Sequence, residues 1–314
     1  MSGRTEPWRA LAVFVCCVLI WGSTWYAITF QVAHVGPLWG VTWRFLLAGA
    51  ILMLVARLQR LPIAQDRRTH RGLLMLGLFM FSASYVLVYV ATGYIPSGLV
   101  AVIYALMMPF NQVNAALFLK ERLDRRLLVA GSMGVAGVAL MLVPPDLAID
   151  SRTLAGAGIC LVSAWIASLG NTTAATGFAR RVPNLVLNAW GMLYGAALVA
   201  VAALVTGEPP AFPLVPEFLL SLLWLAVLGS VVAFTLYVWL IQNWGLQRAG
   251  YVAVVVPVVA MLISTVFEGY AWQPGAVAGL VLVVAGNLLL VRAGDRAGAL
   301  SRRREPRPPR RAHR

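Results

Sequence analysis

The sequence predicts an all-α polytopic membrane protein: ten transmembrane helices arranged as two inverted-topology five-helix repeats, with both termini cytoplasmic. Three observations predict it. The 314 residues are 61% hydrophobic and only 11% charged, a balance that no water-soluble core of this size requires. Apolar stretches of about 20 residues, the length that spans a bilayer, recur along the chain. One pattern is also written twice: Gly98, Val100, Ala101, Pro109, Glu121, and then Gly250, Val252, Ala253, Pro257, Glu268. Each copy belongs to a block of five apolar segments. Five is odd, so the second block enters the membrane facing the opposite way.

The elements follow in order. Segment α1 (10–30) comes after Arg4 and Arg9, but it is too long for a secretory signal and lacks an A-x-A-like cleavage site, so it is a span. Next come α2 (37–56), which opens at Pro37, and α3 (72–92), followed by α4 (97–119) and α5 (127–144), which close the first repeat. The second repeat consists of α6 (154–178), α7 (185–205), α8 (217–241), α9 (250–267) and α10 (275–292). This divides the chain into a cytoplasmic N-terminus (1–9), repeat 1 (10–144), a periplasmic connector (145–153), repeat 2 (154–292) and a basic, disordered cytoplasmic tail (293–314). The connector carries Asp146 and Asp150 and is short enough to keep the halves in one body.

Basic residues set the orientation. With the N-terminus inside, 23 of the 25 Lys and Arg residues fall on the cytoplasmic side; Arg152 lies outside and Arg44 lies within α2. The net charge of +14 therefore reports topology, and no nucleic-acid partner is implied. The tail, with Arg302, Arg303, Arg304, Arg310 and Arg311, is either a solvated anchor or an element drawn to anionic lipid headgroups. Cys16, Cys17 and Cys160 all sit in apolar stretches, so no disulfide framework is expected. No His and Cys cluster occurs in the spans, so neither a metal nor another cofactor is expected.

Within the membrane, polar residues require explanation. Arg44 lies about 10 Å into α2 at about 1.5 Å per residue, where insertion costs about 2.5–3.5 kcal/mol at a helix centre. No Asp or Glu lies in the interior of a span to pair with it. Two readings stand: a structural Arg that caps carbonyls or snorkels outward, and a counter-ion for a substrate carboxylate or phosphate. Tyr104, Met108, Asn111 and Asn114 recur at helical spacing on α4 and share a face. Tyr85 and Tyr89 on α3, and Trp165, Ser168 and Asn171 on α6, form further stripes, and Gln242 lies on α8 beside Thr235 and Trp239. These residues are candidates to bind a substrate, with interhelical packing and interfacial anchoring as the competing roles. Pro109 and Pro257 each remove a backbone hydrogen bond at corresponding positions of the two repeats, as matched hinges or matched static kinks. Glu121 and Glu268 fall at opposite membrane faces, where ion-pair or interfacial roles outweigh proton carriage. Gly131, Gly134 and Gly137 in α5 and Gly275, Gly279 and Gly286 in α10 let backbones approach, within the chain or across a homodimer.

Trp21-Gly22-Ser23-Thr24-Trp25, Gly36-Pro37 and Trp43-Arg44-Phe45-Leu46-Leu47 resemble the EamA family of the drug/metabolite transporter superfamily. So do Pro109 followed by Lys120-Glu121-Arg122-Leu123, and Gly245, Arg248, Ala249, Pro257 and Glu268. The resemblance covers about residues 10–292 and implies a carrier with a central cavity lined mainly by α1, α3, α4, α6, α8 and α9. Asn111, Gln112 and Asn114, and Gly269-Tyr270 after Glu268, depart from the family's commoner pattern.

The expected function is therefore that of a secondary carrier of small organic metabolites in the inner membrane, with amino-acid export as the leading form. A sugar-phosphate or nucleotide-sugar exchanger would want several cavity cations, and only Arg44 qualifies. A membrane-embedded lipid-phosphate enzyme would need clustered carboxylates, a metal or an activated nucleophile. The spans supply none of these, so no catalytic residue is assigned and no enzymatic activity is expected.

Overall fold

The computed structural model describes residues 7–120, 125–142, 150–244 and 246–304, and every regular element among them is helical. Glu121, Arg122, Leu123, Pro144, Asp146, Gly245, Arg310 and Arg311 lie outside the described residues. Among the described residues nine helices are long and apolar enough to cross a bilayer: α1 Trp8–His34, α2 Pro37–Leu58, α3 Arg67–Thr92, α4 Ser97–Leu119, α6 Ser151–Ala174, α7 Asn184–Thr206, α8 Pro216–Trp244, α9 Arg248–Phe267 and α10 Pro274–Arg292. The tenth, α5, runs over Arg125–Leu142. Its 18 residues reach about 27 Å, close to the thickness of the hydrocarbon layer.

Local chemistry sets the helix ends. Pro37 occupies the first turn of α2, where its missing N–H costs nothing. Asp66 caps α3 by accepting a 2.7 Å hydrogen bond from the Thr69 N–H, and Asp150 caps α6 through Arg152 and Thr153. Bonds from Thr69, backed by Arg181 and Arg68, hold the Asp66 carboxyl below its usual range. At its other end α4 stops on Lys120 in the left-handed conformation. The helix of α10 continues to Arg304, past the expected end at residue 292. The first proline of that region is Pro306, so nothing before it removes a backbone donor, and the tail up to Arg304 is helical instead of disordered.

Three spans are interrupted. Both α3 and α8, which correspond in the two repeats, carry π-helical segments in mid-span, at Gly77–Ala83 and Trp224–Val232. The third, α4, splits into Ser97–Tyr104 and Met107–Leu119 with a turn at Ala105–Leu106. Pro109 explains that turn, because it cannot donate to the carbonyl of Ala105, four residues back; Met108 N–H takes that acceptor at 3.1 Å. Its counterpart Pro257 sits inside a continuous helix. The expected pair of matched kinks is thus not matched.

Packing brings the repeats together pairwise: α2 lies along α7, α1 along α9, α3 against α6 and α7, and α5 along α10. The last pair interlocks through its glycines. A Cβ on Gly137 would collide with the Gly279 carbonyl, and one on Gly279 with the Gly137 carbonyl. Gly275 and Gly286 similarly lie 3.0 and 2.8 Å, at their would-be Cβ atoms, from the carbonyls of Leu140 and Ala130. These glycines pack on their partner helix within one chain.

Among the described residues the hydrophobic interior forms three clusters: a main one running through both repeats, one at the cytoplasmic ends of α1, α8 and α9, and one at the outer side where Val35, Trp39, Ala203, Phe218 and Leu222 meet. The main cluster joins Ala27 and Ile28 of α1, Phe45 and Leu52 of α2, Phe81 and Tyr89 of α3, Val100 and Ile103 of α4, Cys160 of α6, Val186 and Met192 of α7, Leu225 of α8 and Met261 of α9. A separate cluster holds the cytoplasmic ends of α1, α8 and α9 together: Ala10, Cys17, Val18, Leu240, Ala249 and Val252. The inner part of α4 packs on α6, α5 and α10, whereas its outer part packs on α9, α1 and α6.

Candidate functional site

The sequence-predicted residues fall into two layers and one outlier. Arg44, Tyr85, Tyr89 and Tyr104 meet in the outer half of the membrane. Arg44 is only 3% exposed, so it does not snorkel. Its guanidinium lies 4.8 Å from the centre of the Tyr85 ring and 5.3 Å from that of Phe45. Its Nε and Nη1 have no hydrogen-bond partner, and neither has the hydroxyl of fully buried Tyr89. The structural role foreseen as one alternative, capping of carbonyls, is not made by these two nitrogens. Cation–π contact is worth about 2 kcal/mol when desolvated, less than the several kcal/mol that removing a cation from water costs. Its aromatic neighbours alone do not offset the buried charge.

The two π segments flank this layer. Phe81 of the α3 segment packs edge-on against Phe45 at 5.3 Å, and Gly229 of the α8 segment lies against Arg44, where a Cβ would stand 3.8 Å from Nη2 and 2.8 Å from Thr24. The Gly229 carbonyl accepts a 3.1 Å bond from Trp21 Nε1. Trp25, one turn on, meets the Tyr104 ring at 5.1 Å. Tyr104 OH lies 3.2 Å from Ser84 Oγ, which in turn is 3.3 Å from Ser163 Oγ of α6. Sequence reasoning missed Ser84, Ser163, Gly229 and both π segments. A π turn shifts helical register only locally, and a fixed-period reading of α3 and α8 passes over it.

The second layer is a seam between α4 and α6 toward the cytoplasmic ends. Asn114 Nδ2 donates to Ser168 Oγ at 2.8 Å, and Asn114 Oδ1 accepts from Trp165 Nε1 at 3.2 Å. Asn171 Nδ2 donates to Asn111 Oδ1 at 3.1 Å and contacts Met107 Sδ at 3.4 Å. Asn114 and Ser168 are wholly buried, Asn111 and Asn171 are partly buried, and Trp165 is half exposed. The expected single face from Tyr104 to Asn114 is divided, because the turn at Ala105–Leu106 resets the register between them. Gln242 joins neither layer; it is exposed two residues before the end of α8.

Carboxylates tie the outer surface together. Glu268, just after α9, accepts from Ser97 N–H at 3.1 Å and from Ser97 Oγ at 2.6 Å, capping the start of α4. Glu208, in the α7–α8 loop, accepts from Trp39 N–H at 3.3 Å in the first turn of α2, and its carbonyl accepts from Trp39 Nε1 at 3.0 Å. Glu268 was expected to form an ion pair or sit at the interface. It is a cap joining one repeat to the other.

Comparison with known proteins agrees with this architecture. The EamA-like transporter family matches residues 8–143 and 154–292. The chain is 30% identical over 259 residues to YedA of Escherichia coli (strain K12), described as an uncharacterized inner membrane transporter, covering 80% of each chain. It is 22% identical to the uncharacterized transporter YoaV of Bacillus subtilis (strain 168), over 81% of this chain and 86% of that one. It is also 23% identical to protein PagO of Salmonella typhimurium, over 88% and 91%. A solved crystal structure at 22% identity superposes with a TM-score of 0.64, covering 96% of this chain and all of the other, which shows a shared fold. With ten apolar helices in two matching halves, the chain is a multi-pass inner-membrane protein and a member of the EamA-like transporter family.

Proposed function

We propose that this chain is a secondary carrier of small organic metabolites, acting by alternating access, with export of amino acids or similar amphipathic solutes as its leading form. One observation carries the reading: Arg44, a buried cation with two unbonded nitrogens, lies between the interrupted helices α3 and α8, which correspond in the two repeats. The Glu268 and Glu208 caps join the two repeats at the outer surface. Inverted repeats supply the alternation, in which the two halves exchange roles about a site between them. Arg44 is the one charged side chain among the described residues that is buried, which supports a solute with few anionic charges over a sugar phosphate or nucleotide sugar.

The test is counterflow in liposomes loaded with a panel of amino acids, monocarboxylates, amines and sugar phosphates. Accelerated uptake of at least one labelled solute is expected only when the same solute is trapped inside. Counterflow of none of them would remove the carrier reading.

A further inference from the structure

We propose that Arg44 and Tyr89 form the anion-recognition end of the substrate site, and that the solute is a monocarboxylate with an apolar or aromatic body. This rests on the carrier reading above and departs from its leading form, since it selects amphipathic monocarboxylates over zwitterionic amino acids. The guanidinium is nine-tenths buried or more and keeps Nε and Nη1 unbonded; the Tyr89 ring packs on Gly40, one turn before Arg44 on α2, and its hydroxyl is buried and unbonded. Two adjacent orphan donor groups in a low-dielectric interior match the two oxygens of a carboxylate. Tyr85, Phe45, Trp25 and Tyr104 supply aromatic surface beside them.

The charge count selects the class. Among the described residues the one Asp or Glu within a span is Glu217, at the outermost turn of α8, and Glu268 stands just beyond α9. One fixed positive charge complements one negative charge, so a dianion would bring one charge without a partner. A zwitterion would bring an ammonium with no carboxylate to meet it. Placement between the π segments of α3 and α8 also puts the anion where both repeats feel it, since Gly229 approaches Arg44 from one and Phe81 touches Phe45 from the other.

The purified full chain in detergent would be titrated calorimetrically with phenylacetate, phenylacetamide, phenethylamine and phenylalanine. Phenylacetate is expected to bind at least tenfold more tightly than each of the others, and Arg44→Gln to reduce its advantage over phenylacetamide to within twofold. Should Arg44→Gln fail to fold, Tyr89→Phe serves instead, weakening phenylacetate at least threefold while leaving phenylacetamide within twofold. Equal binding of acid and amide by the native chain, no binding of the acid, or tighter binding of phenylalanine or phenethylamine would overturn the proposal. So would an unchanged acid preference in Arg44→Gln. The liposome assay separates the two readings: acid-selective binding without counterflow keeps the site and removes the carrier, whereas counterflow with no preference for acids does the reverse.

Discussion

The helix α4 runs from Ser97 to Tyr104, turns at Ala105–Leu106 and resumes at Met107, whereas α9 is continuous through Pro257 to Phe267. The two carry the same Gly, Val-Ala, Pro, Glu order and differ in what surrounds them. Along α9, α1 packs closely enough that a Cβ on Gly22 would overlap Val259, and this contact supports the helix on both sides of its proline. The inner part of α4 is instead drawn to α6 by the Asn114–Ser168 and Asn171–Asn111 bonds, while its outer part stays with α9. A proline thus permits a break without compelling one, and the neighbouring helix decides. Two copies of one design in two conformations are also what the proposed alternation requires, since each face opens in turn by exchanging them.

The largest test addresses the frame that makes the comparison possible. Gly137→Leu should force α5 off α10 and lower stability by about 1–3 kcal/mol, the usual cost of overpacking, read as a loss of thermal stability in detergent. An unchanged melting temperature would mean that the α5–α10 pair does not hold the copies in register. Next, Pro109→Ala should restore a donor for the Ala105 carbonyl, straighten α4 and slow counterflow at least tenfold, about 1.4 kcal/mol in the barrier. Pro257→Ala should change it less than threefold. Equal loss in both variants would break the comparison, and hydrogen exchange at Ala105–Met108 would show whether the turn had closed.

A smaller effect is expected at the outer caps. Removing the Ser97 hydroxyl from the α4 cap with Ser97→Ala, or the whole cap with Glu268→Ala, should cost about 1 kcal/mol each. In a double-mutant thermal cycle the two losses should add less than fully, because the Ser97 Oγ–Glu268 bond is lost in both; full additivity would show that bond to be idle. Smallest is the α4–α6 seam. Asn114→Leu should cost about 0.6 kcal/mol, the mean for interhelical polar contacts in a membrane protein, with a modest change in counterflow. A tenfold loss of counterflow at unchanged stability would instead place Asn114 on the solute's path.

The spans were legible because about 20 apolar residues in a row have one stable arrangement in lipid, and their order with the arginine bias sets orientation. The candidate site was legible only in part. Arg44, Tyr85, Tyr89 and Tyr104 could be singled out, since a cation in a span is costly wherever it points. Asn111, Asn114, Ser168 and Asn171 could be placed on faces, but whether an amide bonds a neighbouring helix or a solute depends on the partner's register. Gln242 shows the limit: its spacing from Trp239 is regular, yet α8 carries it beyond the packed interior. Glu268 and Glu208 were out of reach, because a carboxylate caps a helix to which it is joined only through the fold.

The sequence by itself determined the ten spans, the duplication, the membrane orientation and the presence of one buried cation. These follow from local hydrophobicity and charge, which act residue by residue against lipid and water. Tertiary structure alone decided that Pro109 would mark a break and Pro257 would not, that two π segments would flank Arg44, and that Glu268 and Glu208 would cap helices of the other repeat. Each of these depends on which helix lies alongside, and packing contacts between residues far apart in the chain leave no periodic trace in either partner.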